Sequence, residues 1–361
     1  MANDLTLFVG TYTRQGSAGI YTGSMNLTTG AIDIRHITAG IENPSFVAVD
    51  TLGEHLYSVC ETSDPTTHGA ITAFEIKGDG SLRELNRQST GGPGPCHLAV
   101  DADDQIVIAA NYKGGSVAMI RIEPDGSLGD RCDFIQHQGS SVHPDRQNQP
   151  HAHSITLNAV NDRAYVCDLG TDRIVQYQID PAAGRLHHAG DVVAHPGQGP
   201  RHFTFHPTKP YAYVINELGS TVAAYDVNPE NGNLSERQLV STLPPEWNET
   251  NDTADIHISA SGRFLYGSNR GHDSIAVFSI DERSGRLDLI GHESSRGQTP
   301  RNFALSPDGN FLLAENQDSG TIHTFAIDPD TGLLDHTGHI VEIPAPVCVV
   351  FRPSADQSIL L

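Results

Sequence analysis

A chain of 361 residues is too long for one ordinary globular core, so a repeat or a closed barrel has to organise it. Its net charge of −22, with only three lysines (Lys77, Lys113 and Lys209), repels nucleic-acid phosphates and anionic membranes and excludes both as partners. Five scattered cysteines without a C-x-x-C pair, no signal-like N-terminus and no run of about 18 apolar residues point to a reduced, cytoplasmic protein.

In chain order, the pattern opens on LFVGTY, an alternating strand, and NLTTGAI, a turn built on Gly30. NPSFVAVD, LYSVCE and the turn GDGSL (Gly80) follow, then GPCHLAVD, VIAANY, SVAMIRIE and PDGSL (Gly126). The same order returns in HAHSITLN, AYVCDL, RIVQYQID and PAAGRL (Gly184), and in GPRHFTFHP, AYVINE, TVAAYDVN and PENGNL (Gly232). It returns twice more, through ADIHISASG, LYGSNR, SIAVFSID and ERSGRL (Gly285), then TPRNFALSPDG, FLLAEN, TIHTFAID and PDTGLL (Gly332). Each turn supplies a glycine where a hairpin needs positive φ, and the seven glycines are spaced by 46 to 58 residues.

Four strands per repeat, seven repeats and period-two alternation predict an all-β, seven-bladed β-propeller with four antiparallel strands per blade. The ends fit together under this reading. The N-terminus enters at the second strand of a repeat, while the C-terminal APVCVVFRP supplies a first strand with nothing after it, so the last strand completes the first blade and closes the ring. Residues 1–361 then form one domain. Two β-sandwiches in tandem would not predict matched incomplete ends.

Superposing the repeats places Ser45, Cys96, His153, Arg201, Ala254, Arg301 and Val347 at one position, just inside each first strand, where they should ring one mouth of the central channel. Apolar residues two and four positions further on should pack between blades. A second ring, at the ends of the second strands, holds the pairs Thr11 and Tyr12, Cys60 and Glu61, Asn111 and Tyr112, Asp168 and Leu169, Asn216 and Glu217, Asn269 and Arg270, and Asn316 and Gln317. The asparagines there suit the capping of a tight strand exit. Arginines converging on one cavity of so acidic a protein call for an anion between them, through bidentate guanidinium hydrogen bonds. His153 beside Glu217 gives a base with an orienting carboxylate. His151 and His153 share a strand face, but no third ligand stands at a diagnostic spacing, so no metal and no cofactor is expected. Phosphate-cradling glycine loops and G-x-S-x-G elbows are missing from the sequence.

LFVGTYT, PHAHS, GPRHFTFHP with the following YAYVINELGS, and TPRNFALSPDG with AENQDSGTI resemble the lactonase family of seven-bladed propellers, over residues 5 to 353. That family includes bacterial 6-phosphogluconolactonases and the fungal 3-carboxy-cis,cis-muconate cyclase. The resemblance implies catalytic roles for His153, Arg201, Glu217 and Arg270. Arg301, His151, His202, Glu61 and Asn316 are the candidate substrate-binding residues, for a small anionic lactone. Hydrolysis of a sugar lactone, above all 6-phosphogluconolactone, is the expected activity, with muconate lactonisation and a non-catalytic propeller binding a protein or small acid as alternatives.

Overall fold

The computed structural model describes residues 4–62 and 69–353, which form seven four-stranded antiparallel sheets. The first strands of successive sheets touch in turn around a ring, from Val47–Val49 through Pro95–Val100, Ala152–Leu157, Pro200–Phe205, Asp252–Ile258 and Pro300–Leu305 to Pro346–Phe351. This is the expected propeller. Blade 1 is closed as the chain ends predicted, Pro346–Phe351 pairing antiparallel with Asp4–Thr11 in the register Phe8↔Val350. Gly10 is needed at this seam, since a Cβ there would lie 2.5 Å from the Pro44 carbonyl oxygen.

All seven hairpin glycines have positive φ, between 65° and 85°. The same turns tie neighbouring blades together. Tyr57, Tyr165, Tyr213 and Tyr266 each send a buried hydroxyl to the carbonyl of the hairpin glycine in the next blade, Gly126, Gly232, Gly285 and Gly332, at 2.8–3.0 Å. One aromatic ring thus fills the space between two sheets while its polar end is satisfied by a turn that the repeat already required. The first-strand residues expected between blades are there: Phe203 and Phe205 both pack on Tyr165 at 5.1 Å between ring centres.

One second-strand residue conflicts with its surroundings. Glu315 occupies the place held in other blades by Ala110, Cys167, Ile215 and Ser268; it is 0% exposed and neither carboxylate oxygen has a partner among the described residues. Burial, reinforced by the nearby Asp255 charge, raises its pKa well above the usual carboxylate value. The folded state therefore keeps a proton that the unfolded chain releases above about pH 4.3, and stability is lost as pH rises from there towards the folded pKa. Glu315→Gln should be more stable than the wild type at pH 7, with the gain shrinking to nothing near pH 4. Urea titrations at both pH values will measure it, at up to about 1.4 kcal/mol per unit between the two pKa values. A gain that does not change with pH would remove the protonation argument.

Candidate active site

A β-bulge re-aims the side chains of the channel ring. Pairing between first and second strands skips one residue at Cys96, His153, Arg201, Arg301 and Val347, so each leaves the regular alternation of its strand. These five side chains, with Ser45 and Tyr12, line a single small cavity in the channel. Its free room is about 10 Å³, close to that of one water.

Beside this cavity, Glu217 is the hub of an ion-pair cluster. It follows the second strand of blade 5, Tyr211–Asn216, and is buried. Its Oε2 accepts from Arg201 Nε at 2.8 Å and lies 3.0 Å from an Arg270 terminal nitrogen, while Oε1 accepts from Arg146. Burial alone would raise the Glu217 pKa, but Arg270, Arg201 and Arg146 together hold it well below the ordinary range. It is a fixed anion. Arg201, only 2% exposed, also donates to the Ala254 carbonyl at 2.5 Å and to His202 Nε2 at 3.1 Å. Burial and then the Arg301 and Arg270 charges lower its pKa to about 10, which leaves it a cation at neutral pH. Its second terminal nitrogen has no hydrogen-bond partner among the described residues.

His153 is buried between Tyr112 and His202, whose rings meet it edge-on at 5.3 and 5.4 Å. Burial, followed by the charges of Arg201, His202, Arg301 and Arg270, pushes its pKa well below the ordinary histidine value. The imidazole is neutral at pH 7, with Nδ1 against the Cys96 thiol at 3.9 Å. The expected hydrogen bond to Glu217 is not formed: His153 Nε2 stands 3.8 Å from Oε2, beyond hydrogen-bond range, because three guanidinium groups occupy the carboxylate. Across the cavity the Arg301 guanidinium lies 5.5 Å from the centre of the Tyr12 ring and makes no ion pair or hydrogen bond with a described residue.

The lactonase, 7-bladed beta-propeller family model matches residues 6–351. The chain belongs to that family. The 6-phosphogluconolactonase of Bacillus subtilis (strain 168) is 38% identical over 345 residues, covering 95% of this chain and 97% of its own length. That of Formosa agariphila is 37% identical over 306 residues, 83% and 86% of the two chains. In three dimensions the periplasmic gluconolactonase of Pseudomonas aeruginosa aligns with a TM-score of 0.92 at 31% identity, over 97% of this chain and 99% of the other.

Within this lactonase-family propeller the remaining candidates separate. His202 lies in the cavity wall with both ring nitrogens taken, Nδ1 bonded to Asp255 at 2.7 Å and Nε2 accepting from Arg201 at 3.1 Å. His151 is stacked on Tyr112 at 4.5 Å and its Nδ1 bonds the Tyr112 carbonyl at 2.8 Å, so it supports the ring beside His153 and lies outside the cavity lining. Glu61 accepts a hydrogen bond from Ser45 at the far rim. Asn316 does not reach the cavity. It is fully buried and its amide donates to the Ser295 carbonyl at 2.9 Å, which fixes the strand exit. Asn111, Asn216 and Asn269 likewise bond the hydroxyl five residues on. Tyr12 and Tyr112 stand in the second ring of the sequence but without a role there, and Arg146 stands in neither ring. For Arg146 the one available signal was the longest glycine spacing, Gly126 to Gly184, which reflects the extra length of segment 137–151.

Proposed function

We propose that the protein hydrolyses a sugar lactone, with 6-phosphogluconolactone as substrate and 6-phosphogluconate as product. The observation that carries this reading is a neutral, buried imidazole facing two guanidinium groups with unused donors in one cavity, His153 opposite Arg201 and Arg301. His153 takes a proton from water as the water oxygen attacks the lactone carbonyl. The tetrahedral oxyanion forms against Arg201 and Arg301. On collapse the ring C–O bond breaks and the departing ring oxygen recovers the proton from His153, leaving the open acid. Glu217 and Arg270 hold Arg201 in place. The relatives from Bacillus and Formosa support the phosphorylated substrate, as does the gathering of Arg146, Arg201, Arg270 and Arg301 in a chain of charge −22. The Pseudomonas relative supports a second reading, in which the neutral gluconolactone is turned over. Five free thiols support a cytoplasmic setting, and no helix among the described residues is long and apolar enough to cross a membrane.

The test is acid release from freshly prepared 6-phosphogluconolactone and gluconolactone at neutral pH. Arg301→Ala should lower kcat about a hundredfold on either lactone and change KM little, the signature of a donor used in the transition state. Wild-type protein that accelerates neither lactone would end the hydrolase reading, and an Arg301→Ala variant with full kcat would end the oxyanion role.

A further inference from the structure

Arg146 differs from every other arginine of the cluster in how it is held. Arg201 and Arg270 come from strands of blades 5 and 6, whereas Arg146 comes from segment 137–151, which connects blades 3 and 4. The backbone of that segment is firmly placed. Gln147, fully buried, donates to the Leu169 carbonyl at 2.8 Å and accepts from His143 N, and Ser141 bonds Asp172 at 2.6 Å. From this fixed base the Arg146 side chain reaches Glu217 Oε1 and, at 3.2 Å, the Tyr112 hydroxyl.

Three features single out this contact as the one that can be exchanged. Arg146 is 34% exposed, against 14% for Arg270 and 2% for Arg201. Glu217 would still be paired with two strand-borne arginines at Oε2 if Arg146 left Oε1. Finally, free room of about 10 Å³ between the lining residues, of which Arg146 is not one, cannot hold a sugar lactone, for which pockets run to roughly 300 Å³ or more, so binding must rearrange side chains around the site.

We propose that Arg146 is a specificity-determining residue that leaves Glu217 Oε1 when substrate enters and pairs with the substrate's phosphoryl group. This rests on the phosphorylated-lactone reading given above. The exchange strands no buried charge, and it trades a carboxylate for a more highly charged partner that accepts a guanidinium bidentately. Arg146 and His153 both lie against Glu217 and Tyr112, so a six-membered lactone whose carbonyl faces the imidazole can present its phosphoryl end to Arg146.

The experiment compares wild type, Arg146→Ala and Arg146→Lys on 6-phosphogluconolactone and gluconolactone, with calorimetric binding of 6-phosphogluconate and gluconate alongside. Melting curves confirm that each variant is folded. Arg146→Ala should raise KM for the phosphorylated lactone at least thirtyfold, hold kcat within threefold and move KM for the neutral lactone by less than threefold. Arg146→Lys should recover part of the loss, since it restores the charge without the planar fork. Equal changes for both lactones, or a fall in kcat at constant KM, would overturn the proposal. If the wild type hydrolyses neither lactone, the hydrolase reading fails separately and the binding arm decides: phosphogluconate affinity lost in Arg146→Ala sustains the role of Arg146, and unchanged affinity overturns it.

Discussion

Glu217→Gln is expected to lower stability by about 3–5 kcal/mol and lactone turnover by at least about a thousandfold. A glutamine keeps the shape of the side chain but withdraws the one negative charge shared by Arg146, Arg201 and Arg270. Arg146 can turn to Asp252, 3.9 Å away, or to water. Arg201 cannot, because it is buried with Nη1 committed to Ala254 and His202, and a buried cation that loses its counter-ion retains the whole desolvation cost. The loss should also carry a pH signature. The folded pKa of Glu217 is depressed, so its contribution is fully present above the unfolded value of about 4.3 and lost only as pH falls through the folded value. Urea titrations should therefore show a constant gap between wild type and variant from pH 8 down to about 5, and a narrowing below it. Rates are best measured at low temperature, where the variant remains folded. Full turnover in a folded Glu217→Gln protein would mean that Arg201 needs no carboxylate to be placed.

How much of this site could be read from the sequence follows from how each feature is encoded. Turn glycines and period-two strands are local signals repeated seven times, so Gly30 to Gly332 located the blades, and the unmatched LFVGTY and APVCVVFRP gave the closure. Equivalence between repeats then gave the channel ring, because one backbone position in seven similar blades must have seven similar surroundings. Features that belong to a single blade had no such support. Arg146 lies in a connection that no other blade shares, and its partner 71 residues away is fixed by tertiary geometry alone. The bulges that turn His153 and Arg201 into the channel are one-residue irregularities that alternation hides. Proximity of His153 to Glu217 was legible, whereas competition for the carboxylate was not: the outcome depends on three guanidinium groups arriving from segment 137–151 and blades 5 and 6. Glu315 shows the same limit, since a repeat pattern that expects a small or apolar residue does not reveal what happens to a carboxyl placed there.

His153→Gln should reduce kcat about a thousandfold on both lactones, within the range expected when a general base is removed, and leave KM nearly unchanged. Glutamine fills similar space and bonds similarly but cannot carry the proton. The pH profile separates this role from simple packing. In the free enzyme burial and four neighbouring cationic or imidazole groups hold the His153 pKa well below 6.5, so kcat/KM for the neutral lactone should stay flat as pH falls through 6.5 and decline only further down, as the imidazole finally takes a proton. Gluconolactone is the right probe because the phosphoryl group of its counterpart itself titrates near pH 6. A bound anion opposes the arginine field and raises the His153 pKa, so kcat for the phosphorylated lactone should show its acid limb at higher pH than kcat/KM for the neutral one. In His153→Gln the limb should vanish and the small residual rate should follow hydroxide, as uncatalysed lactone hydrolysis does. A variant that keeps the wild-type acid limb would show that another group accepts the proton, and the position of the retained limb would identify its pKa.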